Sequence, residues 1–125
     1  MEVKIDENTR QLFFVPDDNF YASHDPSMSI AARKAIIKEH KNFFREKRLE
    51  LLPYTVAIEN MKFPIFWETE KWIVFTLVGK WTRDYIHEYN RATTEQYGLF
   101  WFELEDDLLA FKLRYEGCTL SLIHI

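Results

Sequence analysis

The first residues of the chain alternate short apolar runs with polar ones, and this pattern predicts a β-hairpin. Residues 3–5 and 12–15 are β-prone runs. The polar segment Asp6-Glu7-Asn8-Thr9 separates them and is long enough for a hairpin with a longer loop. We therefore expect the chain to begin with two antiparallel strands.

A long amphipathic helix follows the hairpin. Asp25-Pro26 is a helix-start signal, because aspartate caps the first turn and proline at N1 has no N–H to leave unpaired. Pro53 disfavours helical geometry at the preceding residue, Leu52. These two signals predict a helix over Pro26–Leu51.

The second half of the chain contains more apolar runs and one apparent amphipathic helix. Residues 72–78 are almost continuously apolar, as in a central strand. Thr82 is a suitable cap and Gly98 a suitable stop for a helix between them, with Trp81, Tyr85 and Tyr89 on one face. We expect strands at residues 54–58, 65–67, 72–78 and 99–104 and a second helix at residues 82–97.

Residues 105–117 fit two interpretations. Acids at the start, Lys112 and Arg114 near the end and Gly117 beyond them match a helix and its dipole. However, the large apolar residues from Leu109 to Tyr115 alternate with small or polar residues, as they would in a hairpin strand. The helix is our preferred interpretation, and the hairpin strand remains open.

Together these elements predict a single α+β domain over residues 1–119. A small, mainly antiparallel sheet is packed by the long helix and by one or two shorter helices. The core is aromatic, since the chain has 11 Phe, 6 Tyr and 4 Trp against only 3 Gly, and aromatic side chains contribute much burial per residue.

Composition and motifs exclude several classes of protein. The net charge of −4 does not by itself indicate a nucleic-acid binder, and the lone Cys118 cannot form an internal disulfide, which favours a reducing compartment. The chain has no phosphate-binding glycine loop, nucleophile elbow or C-x-x-C motif. The start lacks signal-peptide features, and no apolar run is long enough to span a bilayer. We expect a cytoplasmic protein of a microbe or infected cell that is not an enzyme, needs no cofactor or metal and does not bind membranes.

Individual histidines and acids offer little chemistry. His40 lies among apolar residues of the long helix without a second ligand at metal-binding spacing, so a hydrogen-bonded core histidine is expected. His24 and His87 likewise have no spaced partner. The acids at residues 103 and 105–107 are better explained by helix capping and dipole complementarity than by a cation site.

The long helix carries one segregated pattern of charge. Five cations fall within an arc of about 80°, and no acid interrupts them. They are Lys34, Lys38, Lys41, Arg45 and Arg48. The leading hypothesis is a non-enzymatic binding module whose cationic helix face docks an anionic partner, either nucleic acid or an acidic protein. A solvated face that only keeps the protein soluble is the simpler interpretation.

The alternative function is a structural or assembly protein that contacts other proteins through aromatic side chains. Phe100 and Phe102 are expected in the core, on one face of their strand. Trp101 lies on the opposite face, and its exposure would make it a candidate aromatic contact.

The end of the chain resembles two known kinds of sequence. The aromatic strand and acidic turn of residues 100–107, followed by Phe111-Lys112-Leu113-Arg114-Tyr115, resemble the ending of short uncharacterised tailed-phage proteins, although Leu108 replaces their usual alanine. This resemblance implies a viral accessory protein and favours a helix at residues 105–117. Residues 120–125, Leu-Ser-Leu-Ile-His-Ile, resemble a translated transposase adapter from sequencing libraries. We interpret them as a non-native tail and expect the native chain to be known only to about Thr119.

Overall fold

The computed structural model describes residues 1–23, 25–59, 61–89, 94–115 and 120–121, with the backbone alone at residues 63, 85–89, 94–96, 120 and 121. The elements, in chain order, are β1 (Glu2–Ile5), β2 (Leu12–Val15), α1 (Asp18–Ala22), α2 (Ile30–Leu51), β3 (Tyr54–Glu59), α3 (Phe63–Thr76), β4 (Trp81–Tyr89), β5 (Thr94–Phe102), α4 (Glu105–Arg114) and β6 (Leu120–Ser121). No helix of the described residues is both long and apolar enough to cross a membrane.

The strands form two antiparallel sheets, which confirms the predicted α+β class. β1 and β2 make the expected hairpin, with Val3 opposite Phe14. The larger sheet has the order β4-β5-β3-β6. β5 is its central element, since Phe100 lies opposite Val56 of β3 on one side and Arg83 of β4 on the other.

The larger sheet is covered on both faces by different partners. On one face Phe100 and Phe102 pack with buried residues of α3 and α4, among them Phe66, Ile73 and Phe111. The opposite face carries a smaller cluster built by the hairpin, the end of α2 and β5. Its buried members are Leu12, Leu52, Ala57, Leu99 and Trp101. Successive side chains of β5 point to opposite faces of the sheet and therefore contribute to two separate cores.

The strands predicted at residues 65–67 and 72–78 are wrong, because α3 occupies the first segment and the second as far as Thr76. A short apolar run does not distinguish a buried strand from a buried helix. The buried residues Phe66, Thr69, Ile73 and Leu77 recur at helical spacing and place one face of α3 against the sheet. Pro64 in the first turn supports the helix start.

The helix predicted at residues 82–97 is also wrong. Trp81 to Tyr89 pair residue by residue with Phe102 back to Thr94, so this region is a long antiparallel hairpin. The segment is rich in aromatic and β-branched residues such as Thr82 and Ile86, which favour strands. Strand pairing outweighs the apparent helical periodicity, and residues 90–93 of the predicted helix lie outside the described residues. Residues 99–102 of the predicted strand at 99–104 form the end of β5, and Leu104 is instead the N-cap of α4.

The other helices agree with the sequence more closely. α4 confirms the preferred helical interpretation of residues 105–117, although its predicted stop at Gly117 lies outside the described residues. α2 ends at Leu51 as predicted, but it begins at Ile30, where the Ser29 hydroxyl accepts from the N–H of Ala32. Asp25 instead accepts from the N–H of Ser27 in a preceding turn, and this hydrogen bond lowers the pKa of the Asp25 carboxyl.

Arg10 fixes the hairpin to the C-terminal end of α3. Its guanidinium donates to the carbonyl oxygens of Ile73, Val74, Leu77 and Gly79 at 3.2, 3.3, 2.8 and 3.1 Å. The carbonyl of Ile73 also accepts from the N–H of Leu77, whereas those of Val74, Leu77 and Gly79 lie at the helix end or beyond it, where no further helical turn follows. The backbone of Arg10 has a positive φ of 64°, a conformation that favours glycine.

Asp107 holds the same loop from the opposite side. Asp107 lies in the first turn of α4. Its buried carboxylate accepts from the N–H of Gly79 at 2.8 Å. A Cβ at Gly79 would lie 2.8 Å from Cγ of Leu104, so only glycine fits without displacing that side chain. The loop between α3 and β4 is therefore fixed by two charged side chains that are far apart in sequence.

The short strand β6 pairs with the edge of β3. Ser121 lies opposite Ala57, and Leu120 lies opposite Ile58. Pairing of this kind uses the unpaired backbone groups of an edge strand and does not depend on which side chains the added segment carries.

Candidate functional site

Four of the five predicted cations lie on one exposed side of α2. Lys34, Lys38, Lys41 and Arg45 are all exposed, and we call these four residues the cationic face. None of them forms an ion pair with another described residue; the described ion pair within α2 joins Lys47 and Glu50 at 3.2 Å. The face spans about 16 Å from its first to its last residue.

Arg48, the fifth cation, is placed differently. It is half-buried, and its guanidinium lies 5.1 Å from the ring centre of Phe14 and 4.9 Å from that of Trp101. These are distances at which a cation is attracted to an aromatic face. Its Nε–H has no hydrogen-bond partner among the described residues. Burial lowers the pKa of the Arg48 guanidinium, and the charge of Asp84 opposes that shift.

Trp101 is not an exposed aromatic contact, and this corrects the prediction made for it. The side chain is 1% exposed. It lies on the predicted face of β5, opposite to Phe100, but that face is covered by Arg48 and by the smaller core cluster. Periodicity located the correct face, whereas only the fold shows that α2 and the hairpin cover it.

A groove lies where β2 and β4 separate. The two strands are joined at one end, because Thr82 Oγ1 donates to the carbonyl oxygen of Leu12 at 2.9 Å. Beyond this bond they leave a groove of about 230 Å³, which we call the β2–β4 groove. Its lining includes Phe14, Phe44, Arg48, Thr82 and Asp84.

The charges around the groove are distributed over the two faces of the sheet. Arg83 also lines the groove, but its guanidinium forms an ion pair with Glu70 of α3, on the opposite face of the sheet. Asp84, the next residue of β4, is exposed and interacts electrostatically with Arg48. Apart from Arg83, the charged residues that line the groove are Arg48 and Asp84, beside the rings of Phe14 and Phe44, whose centres are 5.6 Å apart.

His40 is a structural residue, as the sequence predicted. It is 1% exposed, and its Nδ1–H donates to the carbonyl oxygen of Ile36 at 2.8 Å. Its Nε2 accepts from the backbone N–H of Asp17 at 3.1 Å. Both ring nitrogens are thereby occupied in the neutral imidazole, which leaves neither for a metal or a proton transfer. His24 and the side chain of His87 lie outside the described residues.

The acids Glu105, Asp106 and Asp107 lie in the first turn of α4, where they complement the helix dipole. The expected capping by an acid is wrong, because the N-cap is Leu104 and Asp107 accepts from the N–H of Gly79 instead. Within the described part of the chain, no group of three or more histidine, cysteine or acidic side chains could hold a metal ion. Glu103 lies 3.8 Å from Lys80, measured between the carboxylate oxygen and Nζ.

The C-terminal end of α3 carries exposed apolar side chains. Phe75 is 87% exposed and Val78 is 74% exposed, and we call these two residues the α3 apolar patch. Next to them lies a second depression of about 280 Å³, lined by residues that include Thr9, Lys71 and Phe75. The sequence did not single out this patch, because the segment was assigned to a buried strand.

Comparison with known proteins gives no relative from which a role could be transferred. No family model matches the chain, and no curated protein or solved structure is significantly similar to it. The functional argument therefore depends on the residues themselves.

Proposed function

We propose that this protein is a nucleic-acid-binding module that uses the cationic face of α2. The observation that carries the proposal is the segregation of Lys34, Lys38, Lys41 and Arg45 on an exposed surface without acidic partners, in a chain whose net charge is −4. A protein that needed these cations only for solubility would have no reason to collect them on one side of one helix.

The spacing of the cationic face suits a polyphosphate. The charges of the cationic face recur every three or four residues, about 4.5–6 Å along the helix, and a nucleic-acid strand likewise carries one phosphate per nucleotide at a regular interval. Lysine and arginine on a straight helix present their charges at regular intervals to such a backbone. An acidic protein presents carboxylates without this regular spacing, and we treat it as an outcome of the experiment below.

Salt dependence tests the proposal directly. With a fluorescently labelled single strand, four engaged cations should give a slope of about −3 in a plot of log affinity against log salt concentration. Fluorescence anisotropy between about 50 and 200 mM salt provides the measurement. Absence of binding at the lowest salt, or binding without a salt slope, would overturn the proposal. Binding of polyglutamate in place of the oligonucleotide would instead identify an acidic protein as the partner.

The second candidate function is assembly through apolar protein contacts, and the α3 apolar patch favours it. Phe75 and Val78 are three positions apart in sequence and both are exposed, and exposed apolar patches mark contact surfaces. If the patch mediates assembly, the wild-type protein should form a defined oligomer that is insensitive to salt, and Phe75→Glu should convert it to monomers. Analytical ultracentrifugation across a range of concentrations measures this. The matched control is Tyr21→Glu, which changes another exposed aromatic residue far from α3.

A further inference from the structure

We infer that the β2–β4 groove is a subsite for one unstacked nucleobase, and hence that the nucleic acid bound by this protein is single-stranded. The inference rests on the proposed function, because the cationic face must first hold the phosphate backbone. It extends that function by assigning Arg48 to the base and the other four cations to the phosphates.

The shape of the groove suits a planar ring. Phe14 and Phe44 both line it, and aromatic side chains are the surfaces on which bases of single strands stack. A groove of about 230 Å³ is smaller than the usual pocket for a drug-sized ligand and much too small for a duplex. Because the two ring centres are only 5.6 Å apart, a base would lie against one side of this aromatic pair and not between the rings.

The polar groups of the groove distinguish a base from a phosphate. Arg48 supplies hydrogen-bond donors and Asp84 supplies an acceptor. A base edge such as that of cytosine offers an amine donor and acceptor atoms together, so it satisfies both residues. A phosphate offers only acceptors and would be repelled by the carboxylate of Asp84. Arg48 is also held in place by the rings of Phe14 and Trp101, which limits the entropy lost on binding.

The position of the groove fits a strand that continues from the cationic face. Phe44 lies directly before Arg45, and Arg48 follows one helical turn later. Residues three apart on a helix are about 5–6 Å from each other at Cβ, which is comparable to one nucleotide step. A strand whose phosphates follow the cationic face therefore reaches the groove within one or two nucleotides.

Two probes of equal phosphate number test the inference. One is an oligo(dC) of about eight nucleotides, and the other is the same backbone without bases. The oligo(dC) should bind about tenfold more tightly, because base stacking in the groove adds to phosphate binding. Phe44→Leu keeps an apolar side chain but removes the ring, so it should weaken oligo(dC) binding about fivefold and leave binding of the abasic probe unchanged.

Phe43→Leu is the matched control. Phe43 is a half-buried neighbour of Phe44 on the same helix that does not line the groove, so both probes should bind this variant as they bind the wild type. Asp84→Asn is a second test at an exposed position that leaves the core intact, and it should reduce the preference for oligo(dC) over the abasic probe.

The outcomes separate the two proposals. Equal, salt-dependent binding of both probes by the wild type would overturn the base subsite while the proposed function stands. If neither probe binds, the proposed function fails, and the base subsite fails with it. Oligo(dC) binding that is unchanged in both Phe44→Leu and Asp84→Asn would place the base elsewhere on the protein.

Discussion

Replacing Arg10 with methionine should lower the free energy of unfolding by about 3 kcal/mol. The guanidinium donates to four backbone carbonyls at the end of α3 and in the following loop, and methionine offers no donor. Charge-assisted hydrogen bonds of this kind contribute more than neutral ones. The carbonyl of Ile73 would keep the N–H of Leu77, but the other three carbonyls would lose the guanidinium where they are partly shielded from water. The favourable interaction of a cation with the C-terminal end of the α3 dipole is lost as well.

Chemical denaturation and thermal unfolding followed by circular dichroism measure this effect, with an expected fall in Tm of about 10 °C. Arg45→Met is the matched control, because Arg45 is exposed and has no ion pair among the described residues, and its stability should change by less than about 0.5 kcal/mol. A Tm of Arg10→Met within a degree or two of the control would show that water replaces the guanidinium at no cost.

Arg10→Gly separates the side chain from the backbone. The φ of 64° at Arg10 costs a non-glycine residue about 1 kcal/mol, and glycine removes that cost. We therefore expect Arg10→Gly to be more stable than Arg10→Met although both lack the guanidinium. The reverse order would mean that the left-handed conformation at this position is not under strain.

The sequence predicted those parts of the fold that depend on local signals. The hairpin loop, the end of α2 at Pro53 and the acidic start of α4 are each encoded within a few neighbouring residues, and the structure has all three elements. The errors at α3 and at the β4–β5 hairpin have a common cause. In both regions apolar residues are dense enough to fit either periodicity, and contacts with distant segments decide between helix and strand.

The candidate site was predicted to a smaller extent. The spacing within α2 identified the cationic face, because helical geometry alone places these four residues on one side. The groove could not be found in this way, since Phe14, Phe44 and Asp84 come from three different elements. The role of Arg10 has no sequence signal either, because its carbonyl partners are more than 60 positions away.

Arg48 shows how tertiary structure changes the meaning of a sequence pattern. By spacing it continues the stripe of cations, and the sequence alone does not distinguish it from the others. In the fold it marks the boundary where the helix turns from solvent to the smaller core cluster, and its guanidinium covers Trp101. A cation that is half-buried against aromatic rings is better suited to a fixed position in a binding groove than to diffuse attraction of charge.

Reversing the charges of Lys38, Lys41 and Arg45 together should reduce oligonucleotide affinity more than about 100-fold at 0.1 M salt. Each cation that contacts a phosphate releases about 0.7 of a counterion from a single strand, so the salt slope should fall from about −3 to about −1. All three side chains are exposed and make no ion pairs with described residues, so the reversal should leave the fold intact. Anisotropy titrations, with circular dichroism to verify the helix content, measure both quantities.

The matched control reverses Lys62, Lys71 and Lys80. These residues are also exposed and lie in or beside α3, and Lys80 forms an ion pair with Glu103. Their reversal lowers the net charge of the chain by the same amount. Because exposed charges are screened over about 10 Å at 0.1 M salt, the control should bind within about threefold of the wild type. Equal losses in both triple variants would mean that binding follows overall charge. If the α2 triple variant bound with wild-type affinity, the cationic face would be only a solvated surface. If it also kept the wild-type salt slope, the phosphate contacts would lie on another part of the molecule.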